Sequence, residues 1–257
     1  MGLYDFTFYD LIQRNAVCFN DAEAWFEADD NRRLTFNRFK ELVDCLACGL
    51  QRSDIKKGDR IGVLGKNSLE YFLLYGAAAA LGAIVLPINW RLSADEIVFN
   101  LNDGSPVALF VDAEFQELVH DKKDNLVSVK NYYTLKPGNG NFIEFDSLMN
   151  NRGDVEVADV SNDDGFVIIH TAAVQGKPRG ALLSHGNFLC AGLHLNYCFN
   201  LTSQDVHLNL LPMFHVGGFF MAINSFQAGA LNVNMAKFDA EKAVELIEEK
   251  KVSLIFD

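Results

Sequence analysis

From Tyr71 to Trp90 the chain carries no charged residue, a run long enough to invite a membrane-spanning reading. Its make-up argues against that. Gly82 and Pro87 interrupt the run, and the alanines at 77 to 80 leave its middle only weakly apolar. A buried helix that ends at Gly82 and passes into a buried strand accounts for the pattern better. Such a pair needs a large core around it, and 257 residues can supply one, as one large domain or two smaller ones.

Composition narrows the field further. Hydrophobic residues at 49% and charged residues at 22% give a globular balance rather than a disordered one. A formal net charge of -12 argues against a free-standing nucleic-acid binder, which would be basic. The five cysteines (Cys18, Cys45, Cys48, Cys190 and Cys198) are an odd number in a chain too long to need staples, so reduced thiols and a cytoplasmic location are expected. Cys45 and Cys48 match C-x-x-C but lie in an apolar helical pattern, which favours helix packing over redox or zinc chemistry. The start of the sequence shows no basic segment followed by an apolar stretch, hence no visible signal peptide.

The order of elements predicts an α/β fold. A helix near Phe6 to Arg14 is followed by a hairpin, Ala24 to Glu27 and Arg33 to Phe36, turning on Asp29, Asp30 and Asn31. Thr35 then caps a helix with Phe36, Phe39, Leu42, Val43, Leu46 and Leu50 at helical spacing. Strands at Arg60 to Leu64, Ala83 to Ile88 and Pro106 to Val111 alternate with helices at Asn67 to Leu81 and, behind the Ser93–Glu96 capping box, toward Leu101. From Lys136 to Asp164, Pro, Gly, Asn and Asp dominate, and only Phe142 to Leu148 is apolar. Arg152, Gly153 and Asp154 in this stretch spell an adhesion tripeptide by chance. Alternation resumes with strands at Phe166 to His170 and Val206 to Leu211, helices at Asn187 to Tyr197 and Ala240 to Lys250, and a strand at Val252 to Phe256. Two units are expected: residues 1–160, with the first helix and hairpin, and residues 161–257, the start of a second α/β subdomain. The apolar run that stops at Asp257 suggests a fragment, an idea that a stop codon right after Asp257 in the native gene would refute.

Phe166 to Gly180 sets a loop with glycines and cations behind a buried strand. Gly176 and Gly180 permit close backbone approach, Lys177 and Arg179 neutralise phosphate charge, and Thr171 offers a hydroxyl. Ser184 caps the next helix, whose N-terminus favours anions. A basic surface turn fits the same composition. A Walker loop is excluded because Thr171 and Pro178 stand where it needs Gly and Ser or Thr. No G-x-G-x-x-G follows a strand, and no G-x-S-x-G elbow exists.

The run HTAAVQGKPRGALLSHGN resembles the signature of the acyl-adenylating superfamily, T-S-G-T-T-G-x-P-K-G followed by S-H-x-N. Thr171, Gly176, Pro178, Gly180, Ser184, His185 and Asn187 match, and Arg179 stands in for the lysine. The stretch from Lys57 to Asp103 is similar to acyl-CoA ligases, and Leu211 to Phe219 (LPMFHVGGF) to their L-P-x-F-H motif beside the acyl pocket. The likeness runs in order from about Thr7 onward and is strongest to the N-terminal part of an acyl-CoA synthetase or long-chain fatty-acid–CoA ligase.

The resemblance implies parallel-rich layered sheets with flanking helices, as in an incomplete N-terminal domain of the acyl-adenylating fold. It implies nucleotide binding by Thr171, Gln175, Gly176, Lys177, Arg179 and Gly180, a catalytic and substrate-binding His215, and further substrate contacts from Gly217, Gly218 and Phe219. The implied co-substrates are ATP, Mg²⁺ and coenzyme A, acting with a small-molecule carboxylate such as a fatty acid. No nucleic acid and no transmembrane segment are expected, no metal ligands are visible in the chain itself, and a homodimer is among the expected assemblies. Where the family has Ser-Gly-Thr-Thr, this chain has Ala172, Ala173, Val174 and Gln175, and each lost charge-assisted hydrogen bond removes about 1.5–3 kcal/mol of ATP affinity. The alternative reading is therefore a catalytically weakened acyl- or nucleotide-binding or regulatory protein of the same fold.

Overall fold

The computed structural model describes residues 6–136, 142–151, 155–171 and 178–256. Helix α1 (Phe8–Cys18) starts at a Thr7 capping box closed by Asp10. The hairpin β1 (Glu23–Glu27) and β2 (Arg33–Thr35) follows, with Asn31 at φ 60° in its turn. Helix α2 (Phe36–Arg52) begins at Thr35, whose hydroxyl accepts from the Arg38 N–H. Next come β3 (Arg60–Leu64), α3 (Leu69–Leu81), β4 (Ile84–Pro87), α4 (Ala94–Gly104) and β5 (Ala108–Val111). A short α5 (Gln116–Asp121), β6 (Asn131–Thr134) and α6 (Phe145–Met149) lead to the antiparallel pair β7 (Gly165–His170) and β8 (Gly180–Ser184). The remainder is α7 (His185–Phe199), β9 (Val206–Asn209), α8 (Val216–Ala228), β10 (Leu231–Asn234), α9 (Ala240–Lys250) and β11 (Leu254–Ile255).

The described strands form two sheets, ordered β11-β9-β10-β1-β2 and β6-β5-β3-β4-β7-β8. Pairing is parallel except at β1/β2 and β7/β8, where a short connection allows antiparallel return. The expected parallel-rich layers with flanking helices are what the chain forms. The proposed division near residue 160 does not follow the sheets, because each takes strands from both sides of it: β1 lies beside β10, and β4 beside β7.

The charge-free run explains the layering. Every residue of α3 is buried, because its apolar side chains face all round the helix and need cover on every side. The largest apolar cluster joins α1, α2, α3 and α8 to inner residues of both sheets, including Trp25, Val63, Phe110 and Phe166. A second cluster packs α4 and α5 on the far face of the six-stranded sheet, and a third packs α9 on the far face of the other. The order is helix, sheet, helix, sheet, helix, with α3 in the middle layer. Ser68 caps its start by accepting from the Tyr71 N–H at 3.2 Å, and Gly82, at φ 66°, ends it in the left-handed region. No described helix is long and apolar enough to cross a membrane.

The five-stranded sheet also buries polar rungs. Glu27, Asn234 and Asn209 stand side by side in register. Asn234 Nδ2 donates to Glu27 Oε1 at 2.9 Å, and Asn209 Nδ2 donates to Asn234 Oδ1 at 3.2 Å. The other Glu27 oxygen accepts from Trp25 Nε1 and from the Leu69 N–H, tying the sheet to the start of α3. Burial pushes the Glu27 carboxyl up to about 7 against the opposing pull of its Trp25 and Asn234 donors. One rung along, His207 Nδ1 lies 2.9 Å from Asn232 Oδ1, and burial pushes this imidazole down to about 4.

Candidate active site

The carboxyl end of β7 brings the chain to Thr171. Its N–H donates to the Arg179 carbonyl at 3.0 Å, closing the base of the loop, and its hydroxyl lies 3.4 Å from the same oxygen. Three of the expected nucleotide-binding residues, Gln175, Gly176 and Lys177, lie outside the described residues. Thr171, Arg179 and Gly180 are exposed at the loop's two ends. Gly180 sits in the β8 ladder opposite His170, not at positive φ. A Cβ there would come within 2.8 Å of Ile168 Cγ2, so the missing side chain serves the packing of the pair.

After β8, Ser184 and Asn187 form a reciprocal capping box for α7. His185 is fully buried, stacked on Phe166 with ring centroids 4.4 Å apart, and its Nδ1 accepts from the Phe8 N–H at 3.3 Å. Burial pushes it down to about 4, so it is a neutral acceptor that fixes α1.

The second motif folds into the turn before α8. Asn67 clamps it twice: Oδ1 accepts from the Met213 N–H at 2.7 Å, and Nδ2 donates to the Leu211 carbonyl at 2.8 Å. The Tyr75 hydroxyl donates to the Met213 carbonyl at 3.0 Å. His215 is the cap of α8, and its Nδ1 accepts from the Gly217 N–H at 3.2 Å. With Nδ1 accepting this bond, the ring N–H that remains is on Nε2. Gly218 is buried where a Cβ would lie 2.4 Å from the Pro212 carbonyl oxygen, so only glycine lets α8 sit this close to the turn.

Thr171 and His215 line one cavity of about 580 Å³, between α4, the end of β7 and the start of α8. Pro178, next to Arg179, lines it too, with Asn100, His170 and Val216. Beside it an apolar groove of about 270 Å³ runs between α7 and α8, lined by Leu183, Asn187, Phe188, Ala191, Val216 and Phe220. Phe219 is not at either space. It is fully buried, stacked on Tyr75 at 3.6 Å, because the helical turn sends it inward and leaves its neighbour Phe220 to face the groove.

The sequence reading passed over His170 and Asn100. His170 Nε2 lies 2.9 Å from Asp103 Oδ2 on α4, while His170 Nδ1 and Asn100 Oδ1 are buried with no hydrogen-bond partner among the described residues. Asn100 and Asp103 are one turn apart, which puts both on one helix face, but nothing local ties that face to β7. Among the described residues no group of three or more His, Cys, Asp or Glu stands close enough to hold a metal ion.

The family model described as AMP-binding enzyme matches residues 12–256. The chain belongs to the AMP-binding enzyme family. Among curated AMP-binding relatives, the indoleacetate–CoA ligase of Aromatoleum aromaticum is 33% identical over 226 residues, covering 87% of this chain and 44% of its own length. The long-chain-fatty-acid–CoA ligase FadD13 of Mycobacterium tuberculosis is 29% identical over 247 residues, 95% of this chain and 48% of its own. This AMP-binding chain thus spans about half the length of the curated relatives it matches. A Rhodopseudomonas palustris structure described as a long-chain-fatty-acid CoA ligase superposes with a TM-score of 0.93 at 40% identity, over 99% of this chain and 63% of that one. The N-terminal domain of Mycobacterium tuberculosis FACL13 gives 0.88 at 27% identity, over 97% and 62%.

Proposed function

We propose that this chain supplies the N-terminal part of an ATP-dependent acid–thiol ligase, which converts a carboxylate, ATP and coenzyme A into acyl-CoA, AMP and pyrophosphate. The observation that carries the reading is the meeting of Thr171 and His215 on one cavity with an apolar groove beside it. In this reading the His215 Nε2–H donates to a carboxylate oxygen and orients it. Thr171 and Arg179 receive phosphate oxygens, and Arg179 offsets charge as the carboxylate attacks the α-phosphate. Magnesium enters on the phosphates of ATP. The apolar groove suits the hydrocarbon part of a fatty acid, in line with the names of the relatives. The chain alone is not expected to turn over, since it spans half of those relatives.

The test is carboxylate-dependent exchange of labelled pyrophosphate into ATP by the protein that contains this chain. The proposal expects exchange with at least one fatty acid, reduced about a hundredfold or more in Arg179→Ala and in His215→Ala. Binding of ATP and acids with no exchange for any carboxylate would refute the ligase and leave the binding or regulatory reading, which the altered Ala172 to Gln175 stretch favours.

A further inference from the structure

We propose that His170 binds phosphate in its protonated form, so that a phosphate-bearing ligand takes up a proton as it enters the cavity; this rests on the nucleotide reading above. His170 is the last residue of β7, directly before Thr171, and it lines the same cavity. Its side chain is 5% exposed, and Nε2 lies 2.9 Å from Oδ2 of Asp103 in the last turn of α4. The ring also lies against Gly180 of β8, where an added Cβ would stand 3.4 Å from Nε2. The Nε2 edge is therefore held by α4 and β8. Nδ1 is buried with no hydrogen-bond partner among the described residues.

This arrangement separates the two charge states of the ring. A neutral imidazole serves Asp103 through its Nε2–H and leaves Nδ1 an acceptor without a donor. A protonated one serves Asp103 in the same way and turns Nδ1 into a donor. The oxygens of an ionised phosphate only accept, so they complement the second state and not the first. Asp103 favours that state as well. Its carboxylate lies at the C-terminal end of α4, where the helix dipole disfavours negative charge and a cation beside it offsets the penalty. Among the described residues, Glu96 of α4 and His215 before α8 also line the cavity, and Arg179 stands exposed just ahead of β8. Strand β4 brings no charge to it. Two carboxylates thus face one guanidinium, and the loop carries Ala172, Ala173, Val174 and Gln175 where hydroxyl donors would serve phosphate. A donor from the preceding strand makes up part of that loss. Imidazole changes charge between about pH 5 and 8, so the arrival of the ligand can decide which state the ring takes.

The experiment is calorimetric titration of the protein containing this chain with ATP, from about pH 6 to 8, in buffers of different ionisation heat so that protons taken up are counted. His170→Gln keeps an Nε2 donor for Asp103 but cannot take a proton, so comparison with it removes the titration of ATP itself. Its melting temperature is checked first. At about pH 7 the wild type should take up roughly half a proton more per ATP than His170→Gln, and over the range its affinity should fall about fivefold further. Asp103→Asn changes a half-exposed side chain and should move that fall to lower pH. Equal proton counts and parallel profiles in the wild type and His170→Gln overturn the assignment. If His170→Gln does not fold, an Asp103→Asn profile that matches the wild type overturns it instead. The same proton uptake on titration with octanoate overturns the choice of phosphate. A wild type that binds no ATP overturns the nucleotide reading itself, which separates the two failures.

Discussion

Acid should destabilise this protein through two buried histidines, His185 and His207. His185 and His207 are both pushed by burial from an ordinary 6.5 down to about 4. A depressed imidazole favours the folded state only while it stays neutral. Its contribution is present above pH 6.5 and is lost as pH falls toward 4. A shift of this size is equivalent to about 3 kcal/mol for each ring, large against the 5–15 kcal/mol that separates a typical domain from its unfolded state. Glu27 works in the other direction. Its carboxyl is raised from 4.5 to about 7, so its contribution is full below 4.5 and is lost as pH rises through 7, again by about 3 kcal/mol. The two histidines together outweigh the one carboxyl, so stability should drop by about 3 kcal/mol between pH 7 and pH 4. The assay is urea unfolding at a series of pH values for the wild type and His207→Asn. The variant is less stable at pH 7 but should lose about half of the histidine-driven acid slope. An unchanged slope in His207→Asn would refute the reasoning, because it would mean that this ring is not held neutral by the fold.

Gly218→Ala should lower the melting temperature by forcing α8 off the Leu211–Pro212 turn, an overpacking cost of about 1–3 kcal/mol, and thermal scans would check it. Asn67→Ala strips partners from the Met213 N–H and the Leu211 carbonyl, so it should cost about 2–4 kcal/mol in urea unfolding and weaken carboxylate binding as His215 loses its footing. Thr35→Ala removes the cap of α2 and should cost about 1 kcal/mol with no effect on ligand binding, measured by the same two assays.

Much of the fold was legible because its signals are local. Ser93 with Glu96 marked the start of α4, and Gly82 marked the end of α3, since capping and left-handed backbone depend on a few adjacent residues. The ends of β3 and of α9 were read to the residue. Strand β10 was not foreseen: Leu231–Asn234 alternates with asparagines that hydropathy sends to the surface, yet Asn232 and Asn234 are fully buried against partners from β9, β1 and α8. Strand β8 was not assigned either: Ala181, Leu182 and Leu183 are a short apolar run without alternation, on a strand at the edge of its sheet. The two motifs that carry Thr171 and His215 are brought to one cavity. Phe219 was misplaced because a motif gives a helix start without its rotation, and the next residue is the one that faces the groove. His170 and Asp103 lie 67 positions apart, and the packing of α4 against the β7–β8 pair brings them together.

The pairing of β1 with β10 has a consequence for how the chain is made. Glu27 and its partner Asn234 are 207 positions apart, so the hairpin leaves the ribosome long before the strand that completes its sheet. Until then Trp25 and the Glu27 carboxyl have no neighbour on that side, and one face of α3 stays uncovered. The six-stranded sheet, whose central strands come close together in sequence, can form first. The edge of β1 that β10 covers in the finished fold therefore stays unpaired until residues 231–234 have been made.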